Sequence, residues 1–409
     1  MCGALLVAGL AVPASAQIPS EPLALAGGRV TLGGDVSVTA SCAHEPRGAA
    51  CTDDLGFFNY SDYEHSTLRM LRVDLSAEVR ATSHLAVLGE MRLENRGAPQ
   101  PYALYARFRP WVRRPFDIQV GRLPPTFGAF ARRTYANDNL LIGYPLGYQY
   151  LTSLRADALP RTVDELLSMR GRGWLSSFSI GNRTPNRGLP IVNAFRWDTG
   201  VQVHSGSKTI EATGAVTTGS LGNPLVIDDN GGKQVAGRLA VRPWPGLLAG
   251  LSAARGPFLD RSATGSLAVP PPNRDFTQAA IGTDVEFSRS YYLVRAEIIS
   301  SRWTLPLSNL SGTSPSVLPL RSLATSVEGR YKLRPGLFGA ARFDHLGFSA
   351  VQGSAIAGPW EAPVSRLEVG GGYSLQRNVQ LKMSWQHNTR EGGRVKRLNV
   401  AAAQLLFWF

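Results

Sequence analysis

The stretch "TLRMLRVDLSAEVRA" alternates with a period of two. Leu71, Val73, Leu75, Ala77 and Val79 fall on one parity, and Arg72, Asp74, Ser76, Glu78 and Arg80 on the other. Successive side chains of a β-strand point to opposite faces, so this segment is a strand that is apolar on one side and charged on the other. After the Thr82-Ser83 turn the pattern returns, with Leu85, Val87, Met91 and Leu93 set against Glu90, Arg92 and Glu94. It recurs in "KQVAGRLAVR", "YYLVRAEI", "LATSVEGRYK", "SRLEVGGGYS" and "NVQLKMSWQHN", and in the terminal "LNVAAAQLLFWF". "RVTLGGDVSVTA" is the expected first strand.

Past the N-terminal leader, no apolar run reaches the ~18 residues of a transmembrane helix. Two-faced strands of about ten residues suit a transmembrane β-barrel, where lipid requires an apolar outer face, the lumen tolerates charge, and closure leaves no unpaired edge. Charged residues make up only 18% of the chain, as a large apolar exterior requires. Short turns such as "HSGSK", "RPWPG", "SRS" and "KLRPG" alternate with longer connections. That is the arrangement of outer-membrane barrels, with short periplasmic turns and long external loops. The expected fold is therefore all-β: a transmembrane antiparallel barrel of about 18 strands, if "LGYQYLTSLR" (146–155) crosses, and about 16 if it lies in the lumen.

Residues 1–16 read as a secretory signal peptide ending at the A-x-A site Ala14-Ser15-Ala16, which leaves 17–409 as a single barrel domain. Cleavage removes Cys2, and in an exported chain the remaining Cys42 and Cys51 are expected to form a disulfide. His44 lies between them, but too few further ligands are in view for a metal site, and no cofactor is expected.

Leu405, Phe407 and Phe409 share one face of the last strand. "QLLFWF" resembles the C-terminal sorting signal of bacterial outer-membrane proteins. The resemblance implies insertion by the barrel assembly machinery, residence in the outer membrane, and contact with its lipid and lipopolysaccharide.

The formal charge is +13, and Lys occupies only five of the 43 basic positions. The arginines are dispersed at strand-like spacing with no helix-turn-helix, zinc or RNP-type motif, which argues against nucleic acid. Residues 121–155 break the alternation and carry Phe127, Phe130, Tyr135, Tyr144, Tyr148 and Tyr150. A connection this long is functional or disordered, and its aromatics favour function.

"GRLPPTF", residues 121–127, resembles the Gly-Arg-aliphatic-Pro-Pro-x-Phe run that leaves a strand in porin-like outer-membrane proteins, including the phosphate-selective type. The Lys-rich ladder of that type is absent here. In general porins a long early external loop folds inward. The resemblance implies a constriction loop at 124–145, with Arg132 and Arg133 projecting into the pore and Tyr135, Asp138 and Tyr148 among its lining, flanked by Arg122 and Arg155.

Three roles are open to the remaining arginines, which include Arg72, Arg92, Arg238, Arg295, Arg342 and Arg366. They can ring an anion path, pair with Asp74, Glu90, Asp284, Glu297, Glu328, Asp344 and Glu368 in salt-bridge layers, or, where external, hold lipopolysaccharide phosphates.

No H-x-x-x-H, G-x-S-x-G, Walker or C-x-x-C motif is present, so an enzyme is not expected. The sequence points to a passive porin for small hydrophilic solutes, anion-favouring through its arginines. The alternatives are a substrate-specific channel for organic acids or sugars, a surface hydrolase, and a non-conducting structural barrel. A homotrimer, common among general porins, is compatible with the sequence.

Overall fold

The computed structural model describes residues 21–44, 71–95, 97–130, 133–194, 197–265, 275–307, 316–393 and 395–409. The leader, Cys51 and Arg132 lie outside the described residues. Cys42 is disulfide-bonded. No helix among the described residues is long and apolar enough to cross a membrane.

Sixteen antiparallel strands form one closed barrel. In chain order they are β1 (Val30–His44), β2 (Leu71–Arg80), β3 (Leu85–Glu94), β4 (Gln100–Phe108), β5 (Phe116–Leu123), β6 (Asp198–Gly206), β7 (Ile210–Thr217) and β8 (Gln234–Val241). They continue as β9 (Leu247–Pro257), β10 (Thr277–Arg289), β11 (Tyr292–Leu307), β12 (Ser316–Arg334), β13 (Leu337–Phe348), β14 (Val364–Gln376), β15 (Val379–Arg390) and β16 (Arg397–Trp408). Each strand pairs with its sequence neighbour, and β1 closes the ring by pairing β16 from Asp35↔Trp408 to His44↔Asn399. A short additional strand, Leu23–Leu25, pairs with the start of β1.

The count of sixteen corrects the expectation of about 18 and matches the lower figure. Residues 146–155 do not cross: Leu146–Gln149 is a short helix, and both parities of the segment are buried. A spanning strand would leave one parity facing lipid, whereas here Leu146, Tyr148 and Tyr150 pack with Ile299, Ala324 and Leu346 inside the barrel. The tyrosines imitate alternation while serving an interior core.

Outward residues follow the period-two pattern, as with Val38, Leu75, Val87, Leu251, Ile281 and Leu367, all substantially exposed. Trp111, Trp244, Tyr291, Tyr292 and Tyr331 are exposed at the short-turn end, where an aromatic girdle meets the interface. Phe407 and Phe409 stack there at 6.0 Å, and Leu405 faces outward.

The final residue is tied into the ladder: Gly34 N–H donates to Phe409 O at 3.0 Å and Phe409 N–H to Gly34 O at 2.9 Å. A Cβ on Gly34 would lie 2.7 Å from Asp74 O and 3.2 Å from the Phe409 ring. Gly34→Val is therefore expected to strain the closing seam by about 1–3 kcal/mol, read as a lower midpoint in the heat-induced mobility shift of the folded barrel. An unchanged midpoint would show that the seam has room to adjust.

Candidate functional site

The connection between β5 and β6 runs from 124 to 197, 74 residues, and is the third at the long-loop end. β5 stops at Leu123 because Pro124 and Pro125 have no N–H to give to a ladder. The chain then turns into the lumen, with Thr126 Oγ1 donating to Gln202 Oε1 at 2.7 Å and Gly128 N–H to Ser252 Oγ at 3.1 Å. Glu297 Oε1, on β11, accepts from both Ala129 N–H (2.8 Å) and the Tyr148 hydroxyl (2.7 Å).

Two further groups of wall charges hold the segment. On β2 and β3, Asp74 is shared by Arg72 (2.6 Å) and Arg92 (2.5 Å). Arg72 Nη1 also donates to Thr134 O at 2.9 Å and to the Tyr144 hydroxyl at 2.8 Å. The Tyr135 hydroxyl donates to Glu90 at 2.5 Å, and the Arg92 guanidinium lies 3.3 Å from the Tyr102 ring centroid.

Across the barrel, Arg342 pairs with Glu368 (2.5 Å) and Asp344 (3.1 Å). The inserted backbone plugs into this pair: Gly143 N–H donates to Glu368 at 3.0 Å while Gly143 O accepts from Arg342 at 2.7 Å. Arg366 Nη1 donates to Tyr144 O at 2.8 Å, and Lys382 Nζ to the carbonyls of Ala136 and Asn139. A Cβ at Gly143 would come within 2.3 Å of Gln386 Nε2 and 2.8 Å of Glu368 Oε2, so any larger residue here requires those side chains to move.

These contacts seat the connection inside the lumen. Each of the sixteen strands contributes at least one buried inward side chain, from Asp35 on β1 and Asp74 on β2 round to Lys382 on β15 and Gln404 on β16. Strand arginines expected either to ring an anion path or to form salt-bridge layers are paired with carboxylates where the lumen is occupied, as at Arg72, Arg92, Arg238 and Arg342. Among the described residues, no group of three His, Cys, Asp or Glu could hold a metal ion.

The residues expected at a constriction are scattered. Arg133 reaches Glu286 at 3.3 Å with its side chain 22% exposed. Tyr135 and Tyr148 are the wall anchors just described, and Asp138 is exposed at the bend that follows. Arg122 shares the parity of outward Val120 and donates to the carbonyls of Pro101 (2.5 Å) and Trp197 (3.4 Å). Arg155 has no exposed side-chain surface. It grips Asp157 through two nitrogens and donates to Ser176 O and Thr184 O, joining turns of the insertion to one another.

Two acidic anchors carry no signal in the sequence. Glu361, between β13 and β14, accepts from Ser153 N–H and Gly171 N–H, both at 2.6 Å, and burial raises its pKa. Asp164, on the external helix Val163–Ser168, accepts from the Ser354 hydroxyl and from the N–H groups of Ser354, Ala355 and Ile356. The Ser354 hydroxyl, followed by the Ile356 and Ala355 N–H groups, lowers the Asp164 pKa to about 2.

Because that pKa is depressed in the folded state, the Asp164 clip contributes fully above the ordinary carboxylate range and is lost as pH falls through about 2. Protease cleavage of the 350–359 hairpin is expected to be equal at pH 5 and pH 7, and Asp164→Asn to raise it at both. Arg342→Ala removes the cation that contacts buried Glu368 and Asp344 and leaves them only the neighbouring Arg366; it is expected to cost roughly 3 kcal/mol, measured as the loss of folded barrel in a urea titration.

No protein-family model matches the chain, and no curated protein matches it by sequence. Solved structures match it by shape. The outer-membrane channel DcaP of Acinetobacter baumannii superposes with a TM-score of 0.56 at 12% identity, covering 93% of this chain and 97% of that one. OmpF of Salmonella typhi, solved with daunomycin, gives 0.55 at 9% identity with the same coverage. An anion-selective porin from Comamonas acidovorans gives 0.50 at 10% identity, covering 93% and 99%. The chain has the fold of the porin β-barrels.

Proposed function

We propose that the protein is an outer-membrane channel of the porin class whose third external connection is both plug and gate, passing small hydrophilic solutes by diffusion when that segment is displaced. The observation that carries this is the seating of the 124–197 connection on wall charges of β2, β11, β13 and β14, with Glu297 and Glu368 accepting from its main chain and Arg342 and Arg72 donating to it. Polar anchors of this kind exchange for water when the segment moves, while the packing of Leu146, Tyr148 and Tyr150 against Ile299, Ala324 and Leu346 resists the movement and keeps the seated state dominant. The shape similarity to proteins described as channels and porins adds support.

The expected anion preference is assigned to the external face. Arg161, Arg172 and Arg183 are exposed on the insertion, whereas mid-barrel arginines such as Arg92 and Arg342 are matched by carboxylates. A basic mouth concentrates anions before they enter. A channel lined by tyrosines for organic acids or sugars gains no support, because Tyr144, Tyr148 and Tyr150 are buried.

Planar-bilayer recording tests both parts. The intact protein is expected to give small, intermittent openings, and a variant with residues 128–193 replaced by a short Gly-Ser linker to give large, steady ones. A steady large conductance in the intact protein would refute the gate. Silence in the excised variant would refute the channel and favour a structural barrel. With a salt gradient, Arg183→Glu/Arg187→Glu is expected to move the reversal potential towards cation preference.

A further inference from the structure

On the lipid-facing surface, the pattern that keeps charge inside the barrel is broken by a row of arginines. Arg302 on β11 and Arg321 on β12 are directly opposite in the ladder, both exposed and both of outward parity. Arg255 on β9 joins the same row, separated from Arg302 only by Ala279 of β10. Like charges facing each other across strands destabilise a sheet, yet among the described residues no carboxylate pairs with any of the three. Among the described residues their only side-chain bond is from Arg255 Nε to Thr277 Oγ1 at 3.4 Å.

The height of the row identifies its surroundings. On β11 the outward series runs Tyr292, Val294, Ala296, Ile298, Ser300, Arg302, so ten residues separate the girdle tyrosine from the arginine. Tyr331 and Arg321 are ten apart on β12 as well. Ten residues at about 3.4 Å each, tilted by about 40°, span roughly 26 Å, close to the ~25 Å apolar band of such barrels. With Tyr292 and Tyr331 at one interface, Arg302 and Arg321 stand at the other, among the headgroups of the external leaflet.

We propose that Arg302 and Arg321, assisted by Arg255, form a docking site for the phosphate groups of a phosphorylated glycolipid of that leaflet, lipopolysaccharide being the lipid of this chemistry. A guanidinium fork meets phosphate oxygens two at a time, and a phosphate between the two arginines removes their repulsion. The apolar outward residues below, Leu323, Ile298 and Ile281, would lie along the acyl chains.

The test uses the full chain refolded in detergent and titrated with bisphosphorylated lipid A or with its fully dephosphorylated counterpart, bound lipid being counted by native mass spectrometry. The phosphorylated lipid is expected to bind about tenfold or more tightly. Arg302→Gln/Arg321→Gln should abolish that preference with unchanged heat-modifiable mobility, while Arg109→Gln, at the opposite end, should leave it intact. Equal binding of the two lipids by the unaltered protein would overturn the proposal before any variant is made, as would a preference that survives in the double variant.

Discussion

The inner architecture depends on one kind of contact: a charged side chain of the barrel wall hydrogen-bonded to the main chain of the inserted connection. Glu368 and Arg342 take the N–H and C=O of Gly143 and Glu297 takes the N–H of Ala129, while Glu361, on the connection between β13 and β14, does the same for Ser153 and Gly171. An irregular segment carries backbone groups that must be satisfied wherever water is excluded. In a barrel whose strands spend their own backbone on one another, wall side chains are the partners left to do this. The same charges neutralise each other across neighbouring strands, so the wall is both a set of ion pairs and a template for the plug.

Membrane and lumen impose opposite demands on the strands, and the sequence records both. Lipid leaves no choice but apolar side chains on the outward parity, which is why period two was legible throughout and why the sixteen crossings could be bounded from the turns. The lumen imposes chemistry but not periodicity. Residues 146–155 therefore resembled a strand through their tyrosines, although both parities are buried against the inner wall.

The candidate site was legible only in part. The proline pair and the aromatics marked where the infolding begins, and the acidic partners of the strand arginines followed from alternation. The full extent of the connection to residue 197 did not, because its later half folds on itself through local contacts such as Arg155–Asp157. Asp164 and Glu361 act through backbone amides far away in sequence, which no spacing reports. The charge of Arg133 is plain in the sequence, but its partner Glu286, far away along the chain, is assigned only by the tertiary fold.

The most direct measurement of the central claim is amide hydrogen exchange on the intact, folded barrel. If wall charges, together with Glu361 beside them, hold the inserted backbone, the N–H groups of Ala129, Gly143, Ser153 and Gly171 will be protected to a degree approaching that of strand amides such as Val285 and Val327. Exchange at those four positions as fast as in an unstructured peptide, with the strands still protected, would contradict the account and leave the lumen unplugged.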